Sequence, residues 1–340
     1  MKSQPTLFIT IGALLCTAAM VAAQITIPTV AIGNPGNAND TVMADDYSGL
    51  YFGGVGYNYK IGTYDVTLTQ YTAFLNAVGQ TDPYGLYNSS LATDLNVAGI
   101  LRIGSSGNYS YSVIGSGQRP VTYVSWLDAA RFTNWLSNGQ PVGLQTTATT
   151  EAGAYTLNGD TNQGLELKNP NAQYWIPTEN EWYKAAYYDP SLNGGAGGYV
   201  RFPTRSNSVP GNVVGSLSNQ ANYNNGVYSV TRSNSYSYTQ NYLTDVGAFI
   251  DSASAYGTFD QGGDVFQWNG AVIGSSRGLR GGSWYDSASN LLSSTRYPNF
   301  SPTIEQKYIG FRVATVPEPD GVVSFILAGG LLLARRRRAA

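Results

Sequence analysis

Arg280-Gly281-Gly282-Ser283-Trp284 is followed, some thirty residues on, by Gly310-Phe311-Arg312-Val313-Ala314. Trp284 reads as core, and Arg312 reads as one half of a structural ion pair. Other short blocks precede this pair. They are Tyr64-Asp65-Val66-Thr67, then Arg119-Pro120-Val121 running to Val124-Ser125-Trp126. Ile176-Pro177-Thr178-Glu179-Asn180-Glu181-Trp182 follows, and then Tyr256-Gly257 with Gly263-Asp264-Val265-Phe266-Gln267-Trp268. Each block alone is weak. Together, in one order from about Tyr59 to Ala314, they describe one domain without an internal repeat.

Composition limits the chemistry. Of 340 residues only 12% are charged, while Gly numbers 40 and Tyr 26, which suits a loop-rich extracellular protein. Abundant aromatics and a small net charge argue against disorder. There is no histidine, and the single cysteine is Cys16. Residues 1–23 read as a secretory signal, with Lys2, an apolar stretch from Leu7 to Val21, and Ala22-Ala23 before Gln24. Once that segment is removed, neither Cys nor His remains. Disulfides, thiol nucleophiles, imidazole bases and soft-metal sites are then excluded together, so no copper, iron or zinc is expected. Oxygen-liganded Ca²⁺ is the cation that the composition still admits.

The C-terminus has three parts: Val316-Pro317-Glu318-Pro319, an apolar run from Gly321 to Ala334, and Arg335 to Arg338. It resembles the bacterial PEP-CTERM sorting signal. That resemblance implies membrane contact through the tail, processing by an exosortase-type machinery, and a final place on the bacterial cell surface or in its matrix. Without Lys2 and the four terminal arginines, 14 of the 19 basic residues face 21 acidic ones, a formal charge of about −7. No basic patch exists to neutralise phosphates, so nucleic acid is not an expected partner.

Three helices are predicted from their starts at Thr67, Ser125 and Thr178. Each has a hydroxyl at the cap and an acid or amide three residues on, the reciprocal pattern of a capping box. Tyr155-Thr156-Leu157 and Tyr199-Val200-Arg201-Phe202 read as strands, and residues 24–44 as a loose polar leader. Glu179 and Glu181 could mimic a glycosidase pair, although capping accounts for Glu181. Gly194 to Gly198 lacks the Lys-Ser/Thr of a phosphate loop.

The six blocks resemble the domain of formylglycine-generating enzymes, the sulfatase-modifying factors. The resemblance implies an α+β fold related to C-type lectins, loop-rich, with short strands and about three main helices, over residues 45–315. It also implies an oxidase that holds Cu(I) on two cysteines just after the Gly-Gly-Ser. Here those places hold Asp286 and Leu291. Thiolate suits soft Cu(I), whereas carboxylate is hard and leucine is no donor. The expected protein is exported and non-catalytic, with a polysaccharide or another surface protein as partner; the alternative is an active or repurposed oxidase. The resemblance further implies calcium on Asp260, Gln267 and the carbonyls of Gly263 and Val265, with a second site drawing on Asn222 and Tyr223. The face equivalent to the active site would be lined by some of Trp284, Tyr285, Asp286, Asn290, Arg296 and Tyr297.

Overall fold

All three predicted capping boxes are present in the computed structural model, which describes residues 24–46 and 48–317. The signal segment and the apolar, arginine-ended tail lie outside the described residues. Thr67, Ser125 and Thr178 each accept from the amide three residues on, and the side chains of Gln70, Asp128 and Glu181 return the bond. They start α1 (Leu68–Val78), α3 (Trp126–Ser137) and α4 (Glu179–Tyr187). A single turn, α2 (Ser90–Thr93), lies between the first two.

The strands are short. β1 (Thr29–Ile32) and β2 (Tyr59–Gly62) come first, then the hairpin β3 (Ile100–Ile103) and β4 (Ser110–Val113). Next are β5 (Tyr174–Trp175), β6 (Tyr188–Asp189) and β7 (Gly198–Tyr199). The last five are β8 (Phe266–Ile273), β9 (Ser276–Arg280), β10 (Tyr297–Phe300), β11 (Ile309–Gly310) and β12 (Ala314–Thr315). Two four-stranded sheets run β1-β2-β12-β5 and β10-β9-β8-β11, while β3-β4 and β6-β7 are separate pairs. β12 thus joins the chain's end to its beginning, with Ala314 opposite both Ile61 and Trp175. The connection Gly310–Ala314 crosses between the sheets and drops Phe311 into the core.

That core is aromatic. Phe132 meets Phe74 edge-on at 5.3 Å and Phe311 edge-on at 5.4 Å, and stacks on Tyr71 at 6.1 Å. Such pairs stabilise by about 0.5–1.5 kcal/mol beyond the area they bury. The helical aromatics read as core are core: Trp126, Trp182 and Phe74 are fully buried.

Three expectations are corrected. The stretch 24–44 is not loose: β1 pairs in register with β2, Ile32 is buried, and buried Asp40 accepts from Tyr183 at 2.7 Å. Its small polar residues hid strand pairing that only long-range contacts reveal. Tyr155–Leu157 is not a strand, because Tyr155 bonds its neighbours through side chains: Asn134 Oδ1 takes its amide, and its hydroxyl lies between the backbone groups of Ile176. Of Tyr199–Phe202 only Tyr199 is in a strand. Among the described residues no helix is long and apolar enough to cross a membrane.

Candidate functional site

The segment after β9 turns on two glycines with positive φ, Gly281 (+106°) and Gly282 (+73°). A Cβ on Gly281 would come within 2.7 Å of the Gln261 carbonyl, so both conformation and space require glycine. The turn buries Ser283 and Trp284 and leaves Tyr285 half exposed. A short 3₁₀ turn, Ala288–Leu291, follows.

Asp286 is tied into this loop. Its Oδ2 accepts from the Ser283 hydroxyl, its Oδ1 from Asn290 Nδ2 at 2.8 Å, and its carbonyl from the Asn224 amide at 2.8 Å. Asn290 Oδ1 in turn accepts from the Tyr297 hydroxyl at 2.9 Å. Burial raises the Asp286 carboxyl above its ordinary value, partly offset by the Ser283 and Asn290 bonds. Leu291 is fully buried against Phe202, Ala221 and Tyr223. One residue staples the loop and the other fills a small core.

Trp284 anchors an aromatic stack that sequence reading missed. Tyr242 lies parallel to it at 4.8 Å and 6°, and Tyr236 at 6.4 Å and 8°. Tyr228 packs on both Trp284 and Tyr242. Tyr285 and the largely exposed Tyr238 meet Tyr236 edge-on. Lys307 Nζ sits 5.6 Å from the centre of the Trp284 ring and donates to the Tyr236 hydroxyl at 3.0 Å. The signal was present as a tyrosine-dense run, Tyr228 to Tyr242, but nothing local joined it to Trp284.

Arg296 does not line this face. Its guanidinium forks onto Glu179, with Nε–Oε1 and NH2–Oε2 both 2.8 Å, and NH1 reaches Asp46 at 2.7 Å. Arg280 Nε also donates to Glu179 Oε1 at 2.8 Å. Glu179 is thus held between two arginines. Glu181 accepts from Thr178, Trp175 and Tyr57. Neither carboxylate is free for glycosidase chemistry.

The expected calcium residues do converge. Asn222 bridges to Gly263, its carbonyl accepts from the Asp264 amide at 2.8 Å, and its Nδ2 donates to Asp264 Oδ1 at 2.9 Å. Three of their oxygens, on Gln267, Asp260 and Tyr223, are engaged with protein, however. Gln267 Oε1 accepts from Trp182 Nε1 and Arg312 Nε, both at 2.6 Å, and its Nε2 donates to the Asp260 carbonyl at 2.8 Å. Asp260 Oδ2 accepts from the Gly247 amide at 2.6 Å, and the Tyr223 carbonyl from Asn212 Nδ2 at 3.0 Å. A calcium cage needs six to eight oxygens. With Gln267 Oε1 and Asp260 Oδ2 already accepting protein donors, these two side chains offer fewer free oxygens than such a cage takes. Val265 is buried beside Leu243 and Trp284. Among the described residues no cluster of three or more His, Cys, Asp or Glu could hold a metal.

Asp65 and Asp260 lie near Arg312, which Gln267, Asp65 and the carbonyls of Gly62 and Phe259 hold, and Asp264 lies near both acids. Burial, then the neighbouring Asp260, pushes the Asp264 carboxyl up to about 8, against bonds from Thr244 and Asn222. Burial lifts Asp260 to about 6 despite the Gly247 amide and Arg312. It also lifts Asp65 well above the usual carboxylate range.

The sulfatase-modifying factor enzyme 1-like domain family matches residues 55–316, and the chain belongs to that family. Among solved structures, Treponema denticola variable protein 1 is 21% identical over 87% of this chain and 97% of its own, with a TM-score of 0.51. CarF is 21% identical over 86% and 99% (TM-score 0.49), and PvdO from Pseudomonas aeruginosa is 17% identical over 85% and 94% (TM-score 0.47). At these identities the likeness to Treponema denticola variable protein 1 speaks for the fold alone. No curated protein matches the chain.

Proposed function

We propose that the chain is an exported, non-catalytic member of its family that binds polysaccharide on the face around Trp284, at the cell surface or in its matrix. The observation that carries the non-catalytic reading is the pair Asp286 and Leu291. At the places of the copper-binding cysteines, one is a loop staple and the other is buried hydrocarbon. With no histidine and only Cys16 in the sequence, no other side chains can build a soft-metal centre.

Polysaccharide suits the face because a sugar ring needs an apolar surface to stack on and fixed polar partners beside it. Exposed Tyr285 and Tyr238 supply rings braced from behind by a packed stack. Asp286, Asn290 and Lys307 supply polar groups whose positions are set by bonds within the protein. The N-terminal signal and the Pro-Glu-Pro, apolar and arginine tail supply the export part of the reading, with the tail in transient membrane contact before an exosortase-type enzyme processes it.

The test is a glycan array probed with the full chain. Binding to a set of surface polysaccharides, reduced in Tyr285→Ala and Tyr238→Ala, is expected. Silence across the array overturns the polysaccharide partner and leaves a surface protein or a purely structural role. Oxidation of a substrate cysteine to formylglycine, read by mass spectrometry after incubation with Cu(I) and a sulfatase peptide, overturns the non-catalytic reading.

A further inference from the structure

We propose that a second pocket, walled by Arg119 and Arg232, binds a carboxylate-bearing sugar of uronic-acid type. This site is independent of the Trp284 face. The pocket has a volume of about 550 Å³, within the range of small-ligand sites.

Most other arginines among the described residues have polar partners, and exposed Arg201 lies over the Phe202 ring. Arg102, Arg131, Arg205, Arg280, Arg296 and Arg312 each face an Asp or Glu. Arg277 is fixed by three backbone carbonyls. Arg119 differs. Among the described residues its side chain has no hydrogen-bond or carboxylate partner, and its Nε is buried. Leaving a charged donor desolvated and unpaired is unfavourable unless something else meets it. Its backbone is held firmly, since the Arg119 carbonyl accepts from the Leu68 amide and the Gly117 carbonyl from the Thr69 amide. The first turn of α1 therefore fixes where the side chain starts.

Arg232 is oriented by NH1, which donates to the Asn212 carbonyl at 2.8 Å and to its Oδ1 at 2.5 Å. No carboxylate among the described residues pairs with it. Asp245 shares the pocket wall but is held by the Ser116 hydroxyl at 2.5 Å and forms no ion pair with either arginine. Both guanidinium groups line the pocket, and a guanidinium matches a planar carboxylate through paired N–H bonds. Asp245 repels a dianion more than a monoanion, and can accept a hydroxyl of the ligand. Exposed Val213 and Val214 add an apolar surface for a sugar's C–H face. Carboxylate, hydroxyls and an apolar face together define a uronic acid more closely than a free inorganic anion.

The experiment titrates the full chain with glucuronate, glucose, inorganic phosphate and sulfate, read by calorimetry. Glucuronate is expected to bind at least about tenfold more tightly than glucose, the difference one charge-assisted contact makes. Arg119→Gln should weaken glucuronate by about tenfold or more with the melting temperature unchanged, because Arg119 makes no side-chain bond to lose. Arg232→Lys should weaken it too, and Tyr285→Ala should not. Equal affinity for glucose and glucuronate, or an Arg119→Gln variant that binds like the wild type, overturns the proposal. Tighter binding of phosphate or sulfate than of glucuronate overturns it in favour of a free-anion site. An effect of Tyr285→Ala assigns the binding to the aromatic face instead.

Discussion

Glu179 holds two arginines, so its removal should be felt more than that of any surface acid. Glu179→Gln leaves Arg280 and Arg296 buried beside an amide that cannot offset them, a loss of about 3–5 kcal/mol by the usual cost of breaking a buried pair. Urea denaturation measures it, and a change below about 1 kcal/mol, the surface-pair range, would contradict the network. Asp264 sets a pH dependence. Its ordinary value of 3.8 rises to about 8 on folding, so between these values the folded chain binds the extra proton. Stability therefore falls as pH rises through that window, and Asp260, raised to about 6, adds to the same slope. Asp46, Asp160 and Asp189 are shifted down and act below about pH 4, outside it. Melting temperature is expected to be higher at about pH 5 than at about pH 8.5, and Asp264→Asn should make the trend shallower, the remainder coming from Asp260 and from Asp128, which burial also raises to about 8. A profile that rises with pH would refute the assignment.

At the scale of elements, the helices were legible because a capping box is local: its donors and acceptors lie three residues apart. The cap of α4 extends further than the sequence suggests. Thr178→Ala removes one cap and should cost about 1 kcal/mol. Glu181→Ala also strands the Trp175 indole N–H, the Tyr57 hydroxyl and the Thr178 amide. The Trp175 donor is buried, and abandoning it costs about 1–3 kcal/mol, so Glu181→Ala should destabilise clearly more than Thr178→Ala. Equal losses in thermal melts would show that Glu181 does no more than cap. What stayed hidden depended on distant partners. β1 exists because β2 lies beside it, and the aromatic stack exists because Tyr236 and Tyr242 fold back onto Trp284. Arg296 looked like a site residue from its place after Asn290, and only the fold brings it to Glu179.

For the whole molecule, ordered blocks were enough to give the fold class, because glycine turns, buried tryptophans and capped helices recur in fixed order across the domain. The calcium set was legible as a convergence, whereas the protein donors that engage its side-chain oxygens were not. Sequence shows which residues lie near one another in a motif, but not that Gln267 has turned its amide toward Asp260. Adding Ca²⁺ or a chelator is therefore expected to leave the melting temperature unchanged, since only a ligand of the folded state shifts it. A rise that grows with calcium concentration would restore the family's metal to this chain.

On the proposed reading, Asp286 and Leu291 leave no soft-metal centre on which redox turnover could run. Copper content of the purified exported chain, measured after Cu(I) loading and removal of free metal, tests it most directly. The account predicts copper far below one ion per chain, and near-stoichiometric, tightly held copper would contradict it.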